Sequence, residues 1–133
     1  VIINARAETL NEKLMFKRLS SSNRCIVPAS FYYEWKQEEK GKHKYKINKP
    51  GSNIYMAGLY NIAANKNKQL SLFDENIDIY YTIITRNSND SVSHIHSRMP
   101  LIFSIEEMNE WLRGQSIDEL MKSEHMLTGE ITE

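Results

Sequence analysis

The segment that most constrains the fold is Ile77–Thr85, IDIYYTIIT, whose β-branched and aromatic residues predict a β-strand. Ile54–Tyr60 is almost continuously apolar, which is typical of a strand covered on both faces. His43–Ile47 alternates in polarity, with Tyr45 and Ile47 on the inward side. Three segments of this kind in one short chain favour a protein built around a β-sheet.

Helical patterns lie between these strands at irregular intervals. Ser104 and Glu107 have the spacing of a capping box, which predicts a helix through Arg113. We expect Met108, Trp111 and Leu112 on its buried side. A second helix is predicted over Glu8–Leu19, with Leu10, Leu14 and Met15 as its apolar stripe. Short helices are expected from Asn87 or Ser88 to His94 and over Ser116–Met121, and a loop over Asn61–Phe73. The predicted class is therefore α+β, with a mainly antiparallel, barrel-like sheet and a few peripheral helices.

Length and composition exclude several classes of protein. The 133 residues suffice for one domain with a single core, and 41% of them are hydrophobic and 26% charged, as in ordinary globular proteins. No apolar run is long enough to span a membrane. A single cysteine excludes an internal disulfide and a cysteine-rich zinc site, and it fits a reducing cytoplasm. We expect a monomer without metal, cofactor or membrane partner.

The net charge is zero, but the charge is unevenly distributed. Lys36–Asn48 is rich in lysine, whereas acidic residues dominate from Ser104 to the end of the chain. A basic hairpin can contact phosphate, or it can simply be a solvated loop. The charge pattern leaves both interpretations open.

The stretch Arg24–Lys36, RCIVPASFYYEWK, contains a carboxylate among aromatic residues. The period of a strand places Phe31, Tyr33 and Trp35 on one face, which we predict to enter the core, and turns Glu34 to the opposite face. Glu34 is then either an exposed strand residue or a carboxylate held for chemistry. The residue pattern alone does not decide between the two.

Four further polar residues interrupt apolar stretches. Val1–Arg6 reads as the end of a strand, in which Asn4 and Arg6 share one face about 7 Å apart. His96 and Arg98 precede the apolar segment 101–103; His96 is either an ordinary loop histidine or part of an acid–base site. His94 and His96 lack a third ligand at a recognisable spacing, and no nucleophile elbow is present, which argues against zinc and against a serine triad.

Five blocks in order give the chain a specific resemblance. They are NARAET at Asn4–Thr9, RCIVPASFYYEWK at Arg24–Lys36, AGLY at Ala57–Tyr60, YTIIT at Tyr81–Thr85 and HSRMPLIF at His96–Phe103. Together they resemble the SRAP family, the SOS response-associated peptidases. The resemblance covers nearly the whole chain, as a single SRAP-like domain over residues 1–133.

The resemblance implies an abasic-site sensor that binds single-stranded DNA. In such proteins an N-terminal cysteine, exposed by autoproteolytic removal of the preceding residue, forms a covalent thiazolidine crosslink with the abasic sugar. Glu34 then matches the proton shuttle beside the N-terminal amine, and His96 matches the residue that assists sugar ring opening and Schiff-base proton transfers. Asn4 matches a residue that hydrogen-bonds near the cysteine and the adduct, and Arg6 and Arg98 match contacts to the DNA backbone.

The chain also departs from the family pattern. The Cys-Gly-Arg start and the tryptophan-containing block that usually precedes NAR are absent, so we expect a domain incomplete at both ends, inactive in crosslinking by itself. Cys25 lies within a strand and is expected to be a small buried hydrophobe rather than the nucleophile. Alternatives are a thiol peptidase acting on other proteins and a non-catalytic module that binds single-stranded nucleic acid. We expect a bacterial cytoplasmic protein that is nucleoid-associated when bound to DNA.

Overall fold

The computed structural model describes residues 4–64 and 77–132. Within these ranges the secondary structure begins with β1 (Ala5–Arg6) and a 3-10 helix (Ala7–Thr9), then α1 (Leu14–Ser22), β2 (Arg24–Ala29), β3 (Tyr32–Glu38), β4 (Gly41–Asn48), β5 (Ile54–Ala64), β6 (Ile77–Asn87), β7 (Arg98–Pro100), α2 (Ile105–Leu112), α3 (Ile117–Leu120) and β8 (Thr128–Ile131). The strand predictions for 54–60 and 77–85 are confirmed, and both strands extend further than predicted.

The strands form two sheets. The larger has the order β1-β6-β5-β2, and β7 also pairs with β6. The β1–β6 pair is parallel, whereas the other pairs in this sheet are antiparallel. The smaller sheet, β3-β4-β8, is antiparallel throughout. The α+β class is thus confirmed, but neither sheet closes on itself within the described residues, so the barrel-like closure is not confirmed.

Two hydrophobic clusters hold these layers together. The first lies between the larger sheet and the helices; its largest fully buried members are Trp111, Phe103, Leu10, Leu59, Ile84 and Leu101. The second joins the smaller sheet to β5 and to the turns before β7; it contains Ile47, Ile54, Met56, Val92, Ile95, Met99, Ile102 and Leu127. Because the two clusters meet along β5, the two sheets are fixed relative to each other.

The first helix begins later than predicted. A 3-10 turn over Ala7–Thr9 keeps Leu10 buried, and the α-helix starts only at Leu14. This interruption shifts the buried face, so Phe16 is buried, whereas Leu14 and Met15 are exposed. The predicted stripe was therefore wrong at two of its three positions.

The assignment of the two faces of β3 was also wrong. Phe31, Tyr33 and Trp35 are 37%, 42% and 48% exposed, whereas Tyr32, on the opposite face, packs against the second cluster. A row of lysines on β4 explains how these rings remain at the surface: Lys44 lies 3.9 Å from the Tyr33 ring centroid. Cation–π contacts and the lysine stems cover part of the aromatic surface.

Helix α2 follows its sequence signals closely. The Ser104 hydroxyl accepts a hydrogen bond from the Glu107 backbone N–H, and the Glu107 carboxylate accepts one from the Ser104 N–H, so the capping box is confirmed. Trp111 is fully buried, whereas Leu112 is exposed, contrary to prediction.

Elsewhere the chain is less helical than predicted. The segment 90–95 forms turns rather than a helix, stabilised by the Asn89 side chain, which accepts hydrogen bonds from the N–H and hydroxyl of Ser91. Part of the loop predicted over Asn61–Phe73 belongs to β5, and its remainder lies outside the described residues. Strand β8 had no sequence signal. No helix in 4–64 or 77–132 is long and apolar enough to cross a membrane.

Candidate functional site

All five residues singled out in the sequence line one cleft. Asn4, Arg6, Glu34, His96 and Arg98 surround a volume of about 680 Å³. Apolar side chains form much of the remaining wall, which is completed by Tyr32, Tyr33, Met56, Ile83, Thr85, Ser97, Met99 and Pro100. The cleft lies where β1, β3 and the segment leading into β7 meet.

Glu34 and His96 form the only pair of acid–base residues in contact within the described lining of the cleft. The His96 Nε2 atom lies 3.8 Å from the Glu34 carboxylate, and both side chains remain partly open to solvent. The same carboxylate accepts a hydrogen bond from the Trp35 backbone N–H at 3.2 Å, which holds it along the strand. This distance is longer than a hydrogen bond, and a small movement of either side chain would complete one.

The tautomer of neutral His96 follows from its other contact. The backbone N–H of Arg98 donates to His96 Nδ1 at 3.1 Å, so Nδ1 acts as the acceptor. The proton of the neutral ring must then sit on Nε2, the atom that faces Glu34. His96 can therefore donate a hydrogen bond from Nε2 to Glu34 or to a substrate between them.

The two arginines of the cleft differ in how their guanidinium groups are engaged. The Arg98 side chain is 19% exposed and bridges the strands and the 3-10 helix, with contacts to Glu8, Thr85 and Asn87. The Arg6 side chain is 62% exposed, and among the described residues its guanidinium contacts only the Glu8 carboxylate, at 3.7 Å. Among the described residues, Arg6 is therefore the more accessible cation of the two.

Asn4 immediately precedes β1, and like Arg6 it is exposed and lines the cleft. Ala5 between them is buried, which fixes the direction of both neighbours. Within the described part of the chain the Asn4 side chain has no hydrogen-bond partner, so its amide is available to a ligand in the cleft.

Cys25 does not belong to this cleft. It lies in β2 opposite Gly58 of β5, where an added Cβ on the glycine would come within 2.9 Å of the Cys25 Sγ atom. Burial raises the pKa of the Cys25 thiol, which disfavours the nucleophilic thiolate. Cys25 is therefore a strand residue outside the cleft, as predicted, but it is half-buried rather than fully buried.

Tyr32 lines the cleft, although no sequence pattern predicted a functional role for it. It lies two residues before Glu34 on the same face of β3 and is half-buried. Burial, and to a smaller extent the charge of Glu34, raise the pKa of the Tyr32 phenol, which therefore stays neutral. Strand alternation could have indicated its position once the correct face of β3 was known.

No three side chains of His, Cys, Asp or Glu come together as a metal site in residues 4–64 and 77–132. The cleft instead combines an acid–base pair with two arginines and an unpaired amide. Fold and cleft together define an α+β protein suited to proton transfer on an anionic substrate.

Comparison with known proteins identifies the family. The chain belongs to the SOS response associated peptidase (SRAP) family, whose model matches residues 1–131. It is 39% identical to the abasic site processing protein YobE of Bacillus subtilis (strain 168) over 88% of this chain and 51% of that protein. It is 32% identical to the abasic site processing protein YedK of Escherichia coli (strain K12) over 86% of this chain and 48% of that protein.

A solved structure has the same fold. A crystal structure of a protein from Bacteroides thetaiotaomicron matches with a TM-score of 0.83 and 28% identity, over 98% of this chain and 58% of that chain. The chain thus spans about half the length of the curated relatives described above.

Proposed function

We propose that the full-length protein binds single-stranded DNA at abasic sites and forms a covalent thiazolidine crosslink through an N-terminal cysteine outside these 133 residues. The family and the names of its relatives, abasic site processing proteins, support this proposal. The observation that carries it is the contact between Glu34 and His96 inside a cleft that Asn4 and both arginines also line.

The proposed reaction requires several proton transfers. The cysteine amine attacks the aldehyde of the ring-opened sugar, and loss of one water molecule gives a Schiff base. The thiol then adds across the C=N bond, and its proton ends on the nitrogen as the ring closes. Sugar ring opening and the departure of water both need a positioned acid, and the amine must first lose a proton to attack.

Glu34 and His96 have the chemistry for these steps. In the proposed mechanism Glu34, as a carboxylate, accepts the proton of the incoming amine and later returns it to the departing hydroxyl, which leaves as water. His96 donates a hydrogen bond from Nε2 to the sugar oxygen or to that hydroxyl. The same pair would serve autoproteolytic removal of the residue before the cysteine, the peptidase or lyase-like part of the proposal.

The remaining cleft residues would hold the strand in place. Arg6 is exposed beside the acid–base pair, where its guanidinium can donate two hydrogen bonds to one phosphate. Asn4 lies two residues away on the same face and is proposed to orient the sugar-derived adduct. Arg98 is proposed as a second backbone contact. In this proposal the protein acts as a monomer, without a metal, on DNA in the bacterial nucleoid.

The proposal is tested by mixing the full-length protein with a single strand that contains one abasic site. We expect a heat-stable crosslinked species on a denaturing gel, and none with an intact strand of the same sequence. Cys25→Ser should crosslink as well as the wild type, since Cys25 lies outside the cleft. Absence of the crosslink, in a protein whose N-terminal cysteine is verified by mass spectrometry, would contradict the proposal.

A second candidate function, binding of single strands without chemistry, is favoured by the exposed aromatic row of β3. Phe31 and Tyr33 contact each other edge to face, and Lys46 and Lys44 lie over their rings at 4.5 and 3.9 Å. Aromatic rings interleaved with cations can stack bases and contact phosphates. In that case abasic and intact strands would bind equally well, and Trp35→Ala would weaken both.

A further inference from the structure

The guanidinium of Arg98 is already occupied by a carboxylate. Its two terminal nitrogens donate to the two oxygens of Glu8 at 2.5 and 3.1 Å, which is a bidentate pair. The same nitrogens also donate to Asn87 Oδ1 at 2.8 Å and to Thr85 Oγ1 at 3.0 Å. Four of the five N–H groups of an arginine are therefore used within the described residues, which leaves only the Nε–H group.

Glu8 also lies close to the second arginine of the cleft. Its carboxylate is 3.7 Å from the Arg6 guanidinium, and its side chain remains 29% exposed. One negative charge thus partly neutralises both cations that border the cleft. Burial alone raises the pKa of Glu8, but the hydrogen bonds and charge of Arg98 outweigh it and hold that pKa below its ordinary value. Glu8 therefore stays ionised at neutral pH.

A carboxylate and a phosphate present similar oxygen pairs to a guanidinium fork. A phosphate that binds Arg98 through the fork must therefore displace Glu8, and one that binds Arg6 must approach the same negative charge. We propose that Glu8 limits the affinity of this cleft for phosphate, because it occupies the Arg98 fork and neutralises part of the charge of Arg6. For DNA, the inference rests on the proposed function, which it deepens by naming a residue that sets strand affinity.

Glu8→Gln isolates the charge from the shape of the side chain. The amide oxygen of glutamine can still accept one hydrogen bond from Arg98, so the junction between β7 and the 3-10 helix is retained. Glu8→Asp serves as the second variant, since it keeps the charge but shortens the side chain. Glu12→Gln is the matched control, because Glu12 is exposed and its side chain has no partner among the described residues.

The experiment uses the full-length protein and two probes. Inorganic phosphate is titrated calorimetrically, and an undamaged fluorescent single strand is titrated at several salt concentrations. We expect E8Q to bind both probes about fivefold more tightly, a factor that corresponds to a partly exposed ion pair. Its affinity for the strand should also fall more steeply with salt, by a slope of about 0.7 for each additional phosphate neutralised. Glu12→Gln and Glu8→Asp should remain within twofold of the wild type.

The inference would be overturned if E8Q bound the probes no more tightly than the wild type. It would also be overturned if E8D gained as much affinity as E8Q, because that result would attribute the gain to a looser contact with Arg98 rather than to the lost charge. An E8Q protein that binds neither probe would overturn it as well. Failure of the proposed function has a different signature: the wild type would not crosslink an abasic strand, while E8Q would still bind inorganic phosphate more tightly.

Discussion

Arg24→Ala is predicted to be one of the most destabilising surface-accessible substitutions in this protein. The Arg24 guanidinium stacks over the Trp111 ring at 3.9 Å from its centroid. It also donates hydrogen bonds to the carbonyl oxygens of Ser20, Trp111 and Gln115, at 2.7, 2.9 and 2.6 Å. These carbonyls lie near the C-terminal ends of α1 and α2, where a cation is also favoured by the helix dipole.

The magnitude follows from these contacts. A partly desolvated cation–π contact contributes about 1 kcal/mol. The two part-buried hydrogen bonds, to Ser20 and Trp111, contribute about 1 kcal/mol each, whereas water can replace Arg24 at the exposed Gln115 carbonyl. Arg24→Ala is therefore expected to lower the free energy of unfolding by roughly 3 kcal/mol, which corresponds to a fall in Tm of about 10 °C for a chain of this size.

Thermal unfolding followed by circular dichroism at pH 7 provides the measurement. Arg24→Lys keeps the charge but loses the planar fork, so its Tm should lie between those of Arg24→Ala and the wild type. Arg18→Ala is the control, since Arg18 is an exposed residue of α1 whose side chain has no partner among the described residues. A fall in Tm of less than about 3 °C for Arg24→Ala would refute the reasoning, because it would mean that these contacts add less than 1 kcal/mol.

Two further predictions concern stability. Burial raises the pKa of Glu107, but its hydrogen bonds to Ser104 and His125 outweigh this and lower it below the ordinary value of 4.5. Its stabilising contribution is thus present above about pH 4.5 and is lost as the pH falls through the lower folded-state pKa. In urea unfolding, the difference in unfolding free energy between Glu107→Gln and the wild type should therefore be smaller at pH 3 than at pH 7. An equal gap at both values would contradict this. Gly58→Ala should lower the free energy of unfolding by about 1–3 kcal/mol, since the added Cβ would meet the Cys25 Sγ atom at 2.9 Å. If the effects of Gly58→Ala and Cys25→Ala on that free energy were strictly additive in the double variant, this would argue against the contact.

Local patterns in the sequence predicted the central strands of the larger sheet and the start of helix α2. The apolar residues of β5 and β6 identified both strands, and Ser104 with Glu107 identified the start of α2. These features depend on residues close together in sequence, whose preferences the fold retains. The capping box is also supported from a distance, since the Glu107 carboxylate lies 2.8 Å from His125 Nε2.

Features that depend on tertiary contacts could not be predicted in the same way. Which face of β3 enters the core depends on where the second cluster lies, and alternation alone only separates Tyr32 and Glu34 from their neighbours. Strand β8 follows a polar tail and exists because β4 offers it a partner, with Ile47 opposite Gly129. Its residues carry no β-pattern of their own.

The candidate site likewise combines residues that local motifs predicted with a contact that they did not. The five residues were singled out from their motifs, and the structure brings all of them to one cleft. The bidentate pair between Glu8 and Arg98 joins residues 90 positions apart, and no local pattern indicates it. The pair forms because β7 and the 3-10 helix both lie against β6.

The most direct test of the central claim is the rate of crosslinking by the full-length Glu34→Gln variant. Glutamine preserves the shape of the side chain but cannot accept a proton, and general acid–base catalysis contributes about 10²-fold or more. Single-turnover reactions with an abasic strand should therefore be slowed at least about 100-fold in E34Q, with strand affinity unchanged. Glu110→Gln, an exposed charge on α2, should react like the wild type. A rate for E34Q within twofold of the wild type would contradict the claim that this cleft carries out the chemistry.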